Sequence, residues 1–260
     1  MSTKTAVAKS GNKAVAAFDA SMFEADAGHG MENLTQDDLA LPFLKVLSGN
    51  DPVLDERDDA RKGDIYNTLT GEIYEGKEGI RVVPCAYQRR LIQWAPRGSG
   101  SGAPIAIYEP TDKSVPKTER SPEDNREYVV GGTGDYIEDT HQHFVLLLKD
   151  DGTVETALIA MKSTQLKKSK KWNSMVASRQ MQGKNGPFTP PRYAFVYKLK
   201  TLLEENSKGS WHGWEISVDE AVSEASVYQR AKDFCDSILA GEAKVNYAGD
   251  EEQSGGPKQL

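Results

Sequence analysis

Two cysteines, Cys85 and Cys235, are all that the 260-residue chain contains, and they form no CxxC pair. A disulfide framework needs more, so two structural thiols in a reducing compartment are expected. No stretch reaches the roughly 18 consecutive apolar residues of a membrane helix. The N-terminus, MSTKTAVAKSGNKAVAAFDAS, lacks the apolar segment of a secretory signal. No membrane role is expected, and the cytoplasm is the expected location. Catalytic signals are equally thin. His141 and His143, in THQHF, share a strand face and could begin a metal site with Asp135 or Glu138. No second HxH, HExxH or cysteine pair completes it. GGTGD, at residues 131–135, lacks the GK[ST] of a phosphate loop and reads as a turn. The expectation is no catalytic residue, no metal, no cofactor and no enzymatic activity.

The most informative shortage is of acid. Residues 161–200 hold eight lysines, two arginines and no Asp or Glu, a local charge of +10 in a chain whose net charge is −7. A second acid-free window, residues 79–107, carries Arg81, Arg89, Arg90 and Arg97. Segregated basic charge on an acidic chain points to a polyanion on one side.

Apolar content of 38% and charged content of 27% fit a globular protein with polar ends. Residues 1–32 read as a disordered arm, 33–241 as one domain and 242–260 as a disordered polar tail. NLTQDDLALPFLKVLSGN reads as a short helix, with Thr35 and Asp38 as a capping box and a stop at Gly49-Asn50. DIYNTLTGEIYEG reads as a hairpin, and IRVVPCAYQRRLIQWAPR as a long strand whose Pro84 marks an edge or a bulge. IAIYEP is a short strand, and residues 111–127 a polar loop. HFVLLLKDDGTVETALIAM is a hairpin turning at Asp151-Gly152. STQLKKSKKWNSMVASRQM is a helix capped by Ser163 or Thr164, and QGKNGPFTPP a loop. RYAFVYKLKTLL and WHGWEISV are two further strands. A terminal helix starts at a Ser217/Glu220 capping box, carries the stripe Ala221, Ala225, Tyr228, Cys235 and Ile238, and stops at Gly241. The fold class is α+β, mainly antiparallel β. The basic helix between strands suits an OB-like barrel with an inserted helix and a C-terminal helix.

Strand alternation groups Tyr87 with Arg89, and Arg90 with Trp94. In RYAFVYKLK it groups Tyr193, Phe195 and Tyr197 on one face, and Arg192, Lys198 and Lys200 on the other. Cationic grooves that follow phosphates, lined by rings on which bases stack, are how single strands are held without reading sequence. Lys167, Lys168, Lys170 and Lys171 stand directly before Trp172, point charges beside a ring.

The segments LALPFLKVLSGNDPVLDE, GDIYNTLTGEIYEGKEGIRVVPCAYQRRLIQWAPR and STQLKKSKKWNSM together resemble tailed-bacteriophage single-stranded DNA-binding proteins, from about residue 39 to 218. The resemblance implies an OB-like core, no catalytic residues, and coating of single strands in phage DNA replication or recombination. Some related proteins instead recruit a phage RNA polymerase to single-stranded promoter DNA. Dense acidic tails are common among single-strand binders. Here Asp250, Glu251 and Glu252 are followed by SGGPKQL, so a partner-hook role does not follow.

The expected phosphate contacts are Lys162, Lys167, Lys168, Lys170, Lys171, Arg179, Lys184, Arg192 and Lys198. Arg89, Arg90 and Arg97 form an expected second wall. Tyr87, Trp94, Trp172 and Tyr193 are the expected stacking residues. The expected partner is single-stranded DNA, with RNA and phage replication or transcription proteins as further possibilities. A different class, a virion or host-interaction protein with an acidic protein partner, would use the same basic patch.

Overall fold

The computed structural model describes residues 20–34, 38–96, 98–99, 102–207, 209–242, 245 and 247. The chain divides into two compact units, Met1–Leu39 and Ala40–Leu260. Within the described part of the first, a helix α1 (Ala20–Ala25) is followed by turns.

The second unit is built on antiparallel strands. Its first sheet is β1 (Leu44–Val46), β2 (Ile65–Asn67) and β3 (Ile73–Tyr74), with a one-turn helix α2 (Val53–Glu56) between β1 and β2. The main sheet contains β4 (Ile80–Trp94), β5 (Ala106–Tyr108), β6 (Thr118–Arg120), β7 (Glu127–Val129), β8 (Tyr136–Leu148) and β9 (Val154–Lys162). The helix α3 (Leu166–Ala177) and a small hairpin, β10 (Met181–Gly183) with β11 (Gly186–Phe188), interrupt it. The long hairpin β12 (Phe195–Asn206) and β13 (Gly209–Ala221) then completes it, and α4 (Ala225–Ala240) follows. The path is β13-β12-β4-β8-β7-β6, with β5 on β4 and β9 on β8. The fold is α+β and mainly antiparallel, with a helix inserted between strands and a C-terminal helix.

The sheet curls. Leu158 of β9 donates its N–H to Pro42 at 2.8 Å, next to a parallel Phe43–Leu158 bridge. That contact joins β9 to the β1–β2–β3 sheet. Thr201 of β12 donates its N–H to Gly76 O at 2.9 Å, and its hydroxyl lies 2.5 Å from Gly63 O. Gly76 is required there, since a Cβ would sit 2.1 Å from Gly63 O.

Two core clusters occupy the two faces. One lines the interior of the curl with Leu44, Ile65, Val82, Val145, Ile159, Tyr197 and Trp214, joined by Trp172 of α3. The other, with Val83, Cys85, Ile92, Trp94, Phe144 and Leu146, packs under α4. β8 is buried on both faces, which is why HFVLLL reads as a continuous apolar run. Pro84 marks a bulge: the β4–β8 register shifts between Pro84 and Ala86, so Cys85 and Ala86 both enter the α4-side cluster. Downstream of it the expected alternation holds, with Ile92 and Trp94 on that side.

Several local expectations are corrected. LPFLKVLSG does not form a helix. Phe43 to Val46 are extended, because Phe43, Leu44 and Leu47 must enter two different core regions. The proposed Thr35 cap lies outside the described residues. Ser217 and Glu220 lie in β13 rather than at a helix start, and α4 begins after Glu224. Its buried stripe is Val227, Ala231, Phe234 and Ile238, whereas Tyr228 is exposed. Burial of each large apolar side chain of that stripe contributes about 1.5–3 kcal/mol. Gly241 does stop α4, in a left-handed conformation with φ 78°. Residues 111–127 contain β6 and the first residue of β7, its partner, rather than a bare loop. Within the expected tail, Tyr247 is buried against Phe43 and Trp94. Asp250, Glu251 and Glu252 lie outside the described residues.

Candidate nucleic-acid interface

The site is built on α3. It begins after a 3-10 turn, Ser163–Gln165, with no side-chain cap at Ser163, Thr164 or Gln165. Gln165 instead bridges the edge of β13: its Nε2 donates to His212 O at 3.2 Å and its Oε1 accepts from Trp214 N–H at 3.2 Å. A helix turns about 100° per residue. That rotation carries Ser169 and Trp172 inward, with Met175 and Val176 beside the interior cluster. It carries Lys167, Lys170, Lys171 and Ser174 outward to one exposed stripe. Among the described residues, no acid pairs with Lys167, Lys170 or Lys171. Lys168, at the margin, is ion-paired to Glu204 of β12.

Directly after α3 comes the β10–β11 hairpin. Lys184 is exposed at its turn, and Met181 pairs across it with Phe188. Phe188 is 45% exposed and Met181 37%, an apolar pair in water beside a lysine. Arg179, at the start of this segment, lies over the Phe195 ring at 5.1 Å. Lys198 is half-buried and donates to Gly79 O at 3.4 Å. Sequence reasoning read this hairpin as a loop and missed Phe188. Asn185-Gly186 is the turn signal that would have found it.

The expected second wall is not free charge. Arg89 holds Asp139 with two bonds of 2.8 Å, and Arg90 holds Glu109 at 2.8 Å. Arg81 is bound by Asp219 at 2.8 Å and by Glu220. Arg97 lies outside the described residues. Lys162 is also corrected: it is buried, 3.0 Å from Glu138 and over the Trp94 ring at 5.9 Å.

The expected stacking residues are mostly core. Trp94 is 1% exposed and Trp172 0%. Each enters a core cluster because its neighbours on the same face are apolar. Trp172 stacks on His143, with ring centroids 4.5 Å apart and planes within 16°. Tyr193 is half-buried and edge-on to Tyr228 at 5.2 Å, in a 3-10 turn, Arg192–Ala194, and not in the strand. Tyr87 is half-buried against His141 and His143, at 5.6 and 5.1 Å.

Arg192 is turned inward from the expected phosphate surface. Its guanidinium donates to Asn173 Oδ1 at 2.9 Å and to His143 Nδ1 at 2.8 Å, and lies 5.7 Å from the centroids of both Tyr87 and Trp172. Burial lowers its pKa to about 10, so it remains charged at neutral pH. His141 and His143 face Ser169, whose Oγ is 2.7 Å from a nitrogen of each ring. Burial pushes His143 well below the ordinary histidine value, and the Arg192 charge adds to it. His141 is lowered by burial too, opposed by Asp139. Both nitrogens of His143 and Nδ1 of His141 are thus occupied by hydrogen bonds within the fold, and His141 Nε2 faces Asp139 Oδ1 at 3.7 Å. Among the described residues, no three His, Cys, Asp or Glu gather as metal ligands. No described helix is long and apolar enough to cross a membrane.

The interface thus brings together Lys167, Lys170 and Lys171 and continues along the chain into Arg179, Lys184 and the exposed Phe188. No curated protein and no solved structure matches the chain. A sequence model of the family described as Pam3 phage gp34-like protein matches residues 9–244. The match spans most of the chain, which therefore belongs to the Pam3 phage gp34-like protein family and is a phage protein.

Proposed function

We propose that the protein binds single-stranded nucleic acid without sequence preference, coating it during phage DNA replication or recombination, with no catalytic step and no cofactor. The observation that carries this reading is the α3 stripe. Lys167, Lys170 and Lys171 stand in water with no counter-acid among the described residues, in a protein that pairs its other basic cluster. Unpaired lysines attract phosphates by charge alone and release counterions on contact. Lysine point charges do not read base edges as bidentate Arg, Asn or Gln side chains do. The apolar surface needed for base stacking is supplied by Phe188, with Met181 beside it, and not by the buried tryptophans. A stacked base contributes roughly 1–3 kcal/mol whatever its identity.

Fluorescence anisotropy of a labelled dT strand of about 30 nucleotides, with a duplex of equal length as control, tests the reading. Tight binding to the strand and weak binding to the duplex is the expected result. Equal duplex affinity, or no binding to either at low salt, contradicts it. The latter outcome would turn attention to an acidic protein as the partner of the same stripe.

A further inference from the structure

Beneath the lysine stripe, a buried chain of side chains runs from Arg192 through His143 and Ser169 to His141, and each link is a hydrogen bond of 2.7–2.8 Å. Arg192 sets the direction, because a guanidinium has donors only. Its Nη2 is 2.8 Å from His143 Nδ1, so that nitrogen accepts and His143 carries its proton on Nε2. His143 Nε2 is 2.7 Å from Ser169 Oγ and donates to it. Ser169 then directs its own proton to His141 Nδ1, also at 2.7 Å. His141 keeps its proton on Nε2, 3.7 Å from Asp139 Oδ1. The hydrogen-bond network thus assigns both rings as neutral Nε2–H tautomers. α3 contributes Ser169, one residue before Lys170, to the relay itself, and holds its ends with Trp172 stacked on His143 and Asn173 Oδ1 accepting from Arg192.

An added proton costs the relay a hydrogen bond. On His143 Nδ1 it would face the Arg192 guanidinium. On His141 Nδ1 it would donate to Ser169 Oγ, which already accepts from His143, and the serine's own proton would lose its acceptor. The titratable and charged groups that face the two rings are Tyr87 and Arg89 of β4, Asp139 of β8, Lys170 of α3 and Arg192 of the 3-10 turn, and those that face Arg192 in turn are Tyr87 and Cys85 of β4, Tyr197 of β12 and Cys235 of α4. β9 sets Met161 and Ile159 opposite the two histidines. Asp139 is the one carboxylate in that set, and Arg89 engages both its oxygens.

We propose that His141 and His143 are positioning residues for the α3 lysines, presenting the stripe only while both rings are neutral, so that acid releases the bound strand. The inference rests on the nucleic-acid reading above. Its sign opposes plain electrostatics. A protonated histidine only adds positive charge to a surface of lysines. A passive cationic surface therefore holds a strand more tightly as pH falls. Here both rings are held below the ordinary 6.5, so the docked form carries fewer protons than an undocked one. Docking of α3 is full above about 6.5 and weakens as pH falls through that value toward the depressed ones.

The test uses the full chain and two readouts from about pH 7.5 to 5: imidazole ¹⁵N NMR of the free protein, and anisotropy of the dT strand. Expected are two Nε2–H tautomers at the upper pH, and α3 amide shifts that move together with an affinity loss of about tenfold. His141→Gln keeps an acceptor for Ser169 but cannot titrate, so it removes that ring's share of the loss, leaves only the part that follows His143, and retains upper-pH affinity. If that variant fails to fold, the two wild-type readouts decide. A charged ring at the upper pH, or affinity that is constant or rises while the rings titrate, overturns the gate and leaves the binding reading standing. No binding at any pH overturns that reading, and the gate with it.

Discussion

The two basic windows of this chain look alike in sequence and differ in space. In β4, each arginine finds an acid that strand pairing delivers: Arg89 meets Asp139 of the adjacent β8, and Arg90 meets Glu109 just beyond β5. Arg81 reaches Asp219 and Glu220 at the far end of β13. On α3, among the described residues, Lys168 alone meets an acid, Glu204, because it lies at the edge that faces β12. The outward stripe has only its own helical neighbours, and those contain no acid. An acid-free run of sequence is therefore not an acid-free surface. Strands import counter-charge from distant sequence through their register, whereas the outer face of a helix keeps the charge its sequence assigns.

The comparison can be broken most forcefully at the two kinds of aromatic residue. Trp172→Ala should destabilise the fold by about 3–5 kcal/mol, because it empties a buried site under α3. Urea denaturation checks this. Phe188→Ala should leave stability within about 0.5 kcal/mol, as an exposed substitution does. It should weaken single-strand binding by about tenfold, the lower part of the range for one stacked base. Equal stability losses for the two variants would mean that Phe188 is core after all.

At the charges, Arg90→Ala should cost no more than about 1 kcal/mol of stability, as exposed ion pairs do, and leave strand affinity within about twofold of wild type. The comparison is sharpened in the other direction by Asp139→Asn, which frees Arg89. Arg89 pairs across the strands with His141, whose ring is bonded to Ser169 of α3, so the freed guanidinium adds an exposed positive charge beside that helix. Strand affinity at low salt should rise by about two- to threefold. Unchanged affinity would place the strand away from the β4 side of α3.

Much of the fold was legible from local signals. Asp151-Gly152 fixed one hairpin, Pro84 marked the bulge, and Gly241 ended α4. Errors arose where a local pattern was overridden by pairing. Ser217 and Glu220 satisfy a capping-box spacing, yet both lie in β13, where Ser217 pairs with Lys198. The site was half legible. The lysines of α3 could be read, because a helix displays them regardless of context. Trp172 could not. Adjacency to Lys171 in sequence suggested a shared surface, but one further step around the helix carries the ring under His143. Arg192 was illegible for the same reason as the β4 arginines: its partners, Asn173 and His143, are remote in sequence.

The salt dependence of strand binding, compared between wild type and a Lys167→Ala/Lys170→Ala/Lys171→Ala variant, tests the central claim most directly. Each phosphate neutralised contributes about −0.7 to the log–log slope for single strands. The account predicts a variant that folds normally, binds at least about tenfold more weakly at low salt, and has a slope shallower by about 2. A folded variant with wild-type affinity and slope would contradict it and remove α3 from the interface.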